Sequence, residues 1–131
     1  MMWLAIIAAV IAVLAGSGVW TALIVRRAER RYPPSGKFVE VEGYRLHYVE
    51  VGSGQPVVLL HGDSGSVLDF TLSPLMTELA RDYHVFAFDR PGLGYSQRPR
   101  AAGSPFVQAR MIYGALRTLG VKNPVLVGHS N

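Results

Sequence analysis

Residues 3–25 contain no charged side chain, an unbroken run of 23 in a chain of 131. As a helix rising 1.5 Å per residue, such a run is roughly 35 Å long, enough to cross a hydrocarbon core of about 30 Å. Gly16, Ser17 and Gly18 interrupt it only in ways that membrane helices tolerate, and Trp3 and Trp20 suit positions near the two interfaces. A cleaved signal peptide ordinarily has a basic start and a shorter apolar stretch. Here only Met1 and Met2 precede the run. The pattern predicts an uncleaved anchor over residues 1–26.

The basic residues lie on one side of that run. The segment RRAERRYPPSGK follows it directly, and the prolines with Ser35 and Gly36 predict a basic, proline-containing linker over residues 27–36. Positive flanks stay cytoplasmic, so a single-pass protein with its C-terminal body in the cytoplasm is expected. The net charge of +4 comes from this region. Residues 1–37 hold five basic side chains against Glu29, whereas residues 38–131 balance eight against eight. No nucleic-acid-binding surface is therefore expected over the body. The absence of cysteine excludes disulfides, cysteine-ligated zinc and a thiol nucleophile.

Residues 38–42 (FVEVE) and 44–51 (YRLHYVEV) alternate around Gly43, the mark of a half-buried antiparallel hairpin. His47 is expected there as a half-exposed sheet residue. Three short apolar runs follow, at 56–60 (PVVLL), 85–88 (VFAF) and 124–127 (PVLV), each expected as a strand buried on both faces of a parallel sheet. Between them, Ser73-Pro74 and Ser104-Pro105 read as helix starts. Leu75, Met76 and Leu79 form the expected buried stripe of the first helix; Ala109, Ile112, Tyr113 and Leu116 form that of the second. The fold class is α/β, a β-hairpin followed by parallel βαβαβ and preceded by one transmembrane helix.

Each apolar run ends in a distinctive loop. The last enters Gly128-His129-Ser130, the first half of a G-x-S-x-G turn that lifts a serine hydroxyl above a sheet edge. His61-Gly62 closes the first run, and Asp89-Arg90-Pro91-Gly92-Leu93-Gly94-Tyr95-Ser96 closes the second. In this order the chain resembles the α/β-hydrolase superfamily over residues 37–131. The similar branch includes esterases, C–C bond hydrolases, epoxide hydrolases and haloalkane dehalogenases.

The resemblance implies Ser130 as nucleophile, with the backbone N–H groups of Asp63 and Asn131 as the oxyanion hole and His61-Gly62 shaping the loop that carries it. A serine in place of an aspartate implies acyl-transfer or C–C bond hydrolysis on a small-molecule, ester or other acyl-type substrate. The family places its acid and histidine after the nucleophile, so residues 37–131 are expected to be the N-terminal part of an incomplete, inactive hydrolase domain. Asp89 is implied to brace its turn, and His84 is read as structural. A non-catalytic, membrane-tethered scaffold of the same fold is the alternative. Neither a metal nor a nucleotide cofactor is expected: Gly92-Leu93-Gly94 lacks the third glycine of a dinucleotide fingerprint, and no histidine pair has ligand spacing.

Overall fold

The computed structural model describes residues 1–130 and divides into two compact units, Met1–Pro34 and Ser35–Asn131. The first unit is one helix, α1 (Met2–Arg31), with no buried residue. It is long and apolar enough to cross a membrane, with a mean hydropathy of 2.3 over its most apolar window. The helix continues through Arg31, so all four arginines lie on its last turns and the irregular segment begins only at Tyr32. Arg, Ala and Glu are good helix formers, and Pro33 and Pro34 prevent further extension.

The second unit is a mixed sheet covered by helices. Its strands are β1 (Lys37–Val41), β2 (Tyr44–Val51), β3 (Gln55–Leu60), β4 (Tyr83–Phe88) and β5 (Val125–Gly128), in the order β1-β2-β4-β3-β5. The hairpin β1–β2 is antiparallel and joins β4 antiparallel; β3 pairs parallel with β4 on one side and with β5 on the other. This is the α/β class, an antiparallel hairpin added to a parallel core.

Helices cover the two faces separately. On one, α4 (Pro105–Thr118) packs Met111, Ile112, Ala115 and Leu116 against Leu46, Tyr48, Val58, Phe86 and Phe88. On the other, the short helices α2 (Leu68–Thr71) and α3 (Leu75–Leu79) bring Phe70 and Met76 onto Val57, Leu59, Val85 and Ala87. Alternate residues of β3 and β4 thus face opposite cores, so uninterrupted apolar runs were needed there.

Three burial expectations fail for identifiable reasons. In α3 only Met76 is buried, because the helix is five residues long and Leu75 faces outward. In α4 the buried stripe is shifted: Ala109 and Tyr113 are exposed while Met111 and Ala115 take the sheet-facing places. Strand β5 pairs along one edge only, and Val125, Leu126 and Val127 are exposed at 50%, 61% and 42%.

Candidate active site

The sheet's topology marks one place for a site. From β3 the chain crosses to β4 on one side and later returns to β5 on the other, so strand order reverses between β3 and β5. In open α/β sheets the crevice at the carboxyl ends of such a strand pair is where ligands are held. The residues leaving those ends are His61-Gly62 from β3 and His129-Ser130 from β5. The His129 N–H donates to the Leu60 carbonyl at 3.0 Å, carrying the pairing one step beyond β5.

Ser130 then turns into the left-handed region, with φ of 56°. For a residue with a Cβ that conformation costs about 1–2 kcal/mol. The Gly62 backbone lies hard against it. A Cβ added to Gly62 would lie 2.9 Å from the His129 carbonyl oxygen, 3.1 Å from Ser130 Cβ and 3.7 Å from Ser130 Oγ. Only glycine permits this approach of one loop to the other.

The β3 loop is held from behind. His61 is buried, its Nδ1–H donating to the Gly62 carbonyl at 2.7 Å while Nε2 accepts the Arg90 backbone N–H at 3.0 Å. Because Nε2 accepts, the proton sits on Nδ1 and the imidazole is neutral. Arg90 Nη1–H donates to the His61 carbonyl at 3.1 Å, and its Nε–H donates to Gln108 Oε1 of α4 at 2.7 Å. The loop is therefore gripped at both ring nitrogens and at its carbonyl. Asp63 is exposed, and its carboxylate accepts the following Ser64 N–H at 3.1 Å. Asn131, the other expected oxyanion donor, lies outside the described residues.

A buried carboxylate organises the neighbouring loop. Asp89 is fully buried and accepts hydrogen bonds from the Val67 N–H (2.8 Å), the Tyr95 N–H (2.9 Å) and His47 Nδ1–H (2.7 Å). Burial pushes this carboxyl up, but the His47 hydrogen bond, the two backbone N–H groups and the His47 charge outweigh it and hold it below the usual carboxylate range. Gly94, with φ of 52°, lets the loop curl so tightly that an added Cβ would strike that carboxylate.

His47, expected to be half-exposed, is 1% exposed. The alternation along β2 holds, but residues 89–97 cover its second face. Asp89 N–H donates to the His47 carbonyl, His47 N–H to Ser96 Oγ, and Gln97 N–H to the Arg45 carbonyl. Sequence reasoning missed this pair because its partners lie 42 residues apart. His84 accompanies Glu50 at 3.2 Å near the start of β4, at the opposite end of the parallel strands from the loops described above. Among the described residues no group of three or more His, Cys, Asp or Glu side chains is arranged to hold a metal.

Beside the β3–β5 crevice, an apolar groove of about 820 Å³ opens between α4 and the sheet, with Ser130 and His61 at one end and Leu116, Val121 and Leu126 along it. Ala109 and Tyr113, the two of the four α4 stripe residues found exposed, line it. The apolar face of α4 is thus wider than the strands beneath it cover.

Comparison with known proteins gives the family of the fold. The profile of the family described as the alpha/beta hydrolase fold matches residues 55–130. The chain is 35% identical over 89 residues to the soluble epoxide hydrolase of Corynebacterium sp. (strain C12), covering 68% of this chain and 30% of that protein. It is 30% identical over 96 residues to the 2-hydroxy-6-oxo-6-(2'-aminophenyl)hexa-2,4-dienoic acid hydrolase of Metapseudomonas resinovorans, covering 72% and 33%. Among solved structures, the Cif epoxide hydrolase from Acinetobacter nosocomialis superposes with a TM-score of 0.64 at 36% identity, over 73% of this chain and 30% of that one. The chain therefore spans about a third of the length of the relatives it matches.

Proposed function

Since the chain belongs to the alpha/beta hydrolase fold family, we propose that it carries the nucleophile half of a membrane-anchored serine hydrolase acting on an ester or other acyl-type small molecule. The observation that carries this reading is the contact between Gly62 and Ser130 at the point where strand order reverses. Ser130 Oγ attacks the substrate carbonyl carbon, and the resulting oxyanion is held by the backbone N–H groups of Asp63 and Asn131. The grip of Arg90 on His61, with Arg90 itself held by Gln108, keeps that loop in place. A carboxylate at position 130 would suit epoxide opening; a hydroxyl suits formation and hydrolysis of an acyl-enzyme.

A serine hydroxyl needs a base to remove its proton. His47 and His61 are buried and committed to Asp89, Gly62 and Arg90, so neither serves. In this reading the acid and histidine come from chain beyond residue 131, consistent with relatives about three times the matched length. The same chain would turn back after Ser130 as the helix that seats in the groove beside α4. A fluorophosphonate probe tests the assignment. It should label a full-length protein at Ser130 and fail on Ser130→Ala, while the 131-residue chain labels little or not at all. Undiminished labelling of Ser130→Ala places the nucleophile elsewhere.

The same proposal places α1 across a membrane, with residues 37 onward in the cytoplasm. Its support is the uncharged run and the arginines on one flank only. Reporter fusions after Lys37 should be active only in the cytoplasm; a shortened soluble product outside would identify a signal peptide instead.

A further inference from the structure

The four arginines of α1 form one surface. At about 100° per residue, Arg26, Arg30, Arg27 and Arg31 fall within an arc of about 140°, spread over roughly 7.5 Å along the axis, and Glu29 lies outside that arc. All are exposed, and none makes an ion pair with an acidic side chain among the described residues. Arg31 lies with its guanidinium carbon 5.9 Å from the centre of the Tyr32 ring. Arg30 and Arg31 complement the negative end of the helix dipole. Arg26 and Arg27 lie more than a turn before the last helical residue, Arg31, at the boundary of the uncharged run, and the dipole does not account for them. A helix unbroken through Arg31, set across a membrane as proposed, presents all four together at the height of phospholipid headgroups.

We infer that this arginine face is a binding site for anionic phospholipid, its guanidinium groups donating to headgroup phosphate. The inference rests on the proposed anchor and adds lipid selectivity to it. Guanidinium forks suit phosphate oxygens, and unpaired cations beside an apolar span draw negatively charged lipids. Continuity with the apolar helix fixes the ligand as lipid, because the same rigid element supplies both the hydrocarbon contact and the phosphate contact.

The chain's two tryptophans, Trp3 and Trp20, both lie in α1, and Trp20 falls within the arginine arc about 9 Å before Arg26. The test reconstitutes the 131-residue chain, carrying Trp3→Phe, into vesicles of phosphatidylcholine and phosphatidylglycerol in which one lipid or the other is brominated on its chains. Quenching of Trp20 should report about a fivefold enrichment of phosphatidylglycerol, the factor that one basic residue supplies at such a surface. Replacing all four arginines by Gln should abolish it, and Arg26→Gln with Arg27→Gln should reduce it. Alkaline extraction of the same vesicles monitors insertion independently. Equal quenching by the two lipids with the protein still in the pellet, or selectivity that survives the fourfold replacement, overturns the lipid site and leaves the anchor standing. Release into the supernatant overturns both.

Discussion

Replacing Asp89 with alanine removes three hydrogen-bond acceptances at once: those from the Val67 N–H, the Tyr95 N–H and His47 Nδ1–H. A buried donor left without an acceptor costs about 1–3 kcal/mol, so three held rigidly in place would cost roughly 3–9 kcal/mol. A whole domain has only about 5–15 kcal/mol of stability, and relieving the donors by letting the loop open costs less than keeping it closed. The expected outcome is therefore local opening of residues 89–97 together with the turn before α2. Peptide-resolved hydrogen exchange on the 131-residue chain in detergent micelles measures this directly. Amides of residues 64–70 and 89–97 should exchange at least about tenfold faster in Asp89→Ala, while those of β3 and β4 keep their protection. Acid should act in the same way on the unaltered chain. The Asp89 carboxyl is held below its ordinary range in the folded protein, so its stabilisation is complete above that range and is lost as pH falls through the depressed value. Unchanged protection of both segments in Asp89→Ala would refute the assignment of Asp89 as the brace.

Other substitutions probe the same framework. Gly62→Ala drives a methyl group towards the His129 carbonyl and Ser130 Cβ, and it should cut fluorophosphonate labelling of a full-length protein at least tenfold while leaving its circular dichroism unchanged. Gly94→Val combines a left-handed φ with a collision against Asp89 and should lower stability by more than about 2 kcal/mol, read as faster exchange across residues 89–97. Leu126→Lys places a charge on the exposed β5 edge and should reduce self-association of the 131-residue chain, measured by light scattering at equal detergent concentration.

The α/β class was legible because β3 and β4 are buried on both faces, and such strands must be apolar at every position. The starts of the helices were equally plain where chemistry marked them: Ser104 is the residue before α4 and Pro105 its first residue. Helix α2 gave no such signal, being four residues long with Val67 before it. Strand order was not legible, since whether β4 pairs with β2 or with β5 depends on contacts distant in sequence. That order decides which strand ends meet, so the approach of Gly62 to Ser130 follows from topology and not from either motif alone. The burial of His47 was hidden for the same reason, because its covering loop belongs to β4 and the polar partner Asp89 follows that strand. The stripe of α4 was misplaced because its apolar face is wider than the sheet beneath it, and periodicity alone does not say which part of a wide face is covered.

The left-handed backbone at Ser130 has a consequence for how this position can vary. Of the residues with a Cβ, Asn and Asp enter that region most easily, whereas β-branched residues are outliers there. The mildest change by side-chain chemistry, Ser130→Thr, is accordingly the harsher one for the chain, while Ser130→Asp leaves the turn at ease and exchanges a hydroxyl for a carboxylate. Backbone tolerance at this one site thus runs along the line that separates acyl transfer from epoxide opening. Under the proposed assignment of Ser130 as nucleophile, a scaffold of this kind would change reaction type there without rebuilding the turn that presents it.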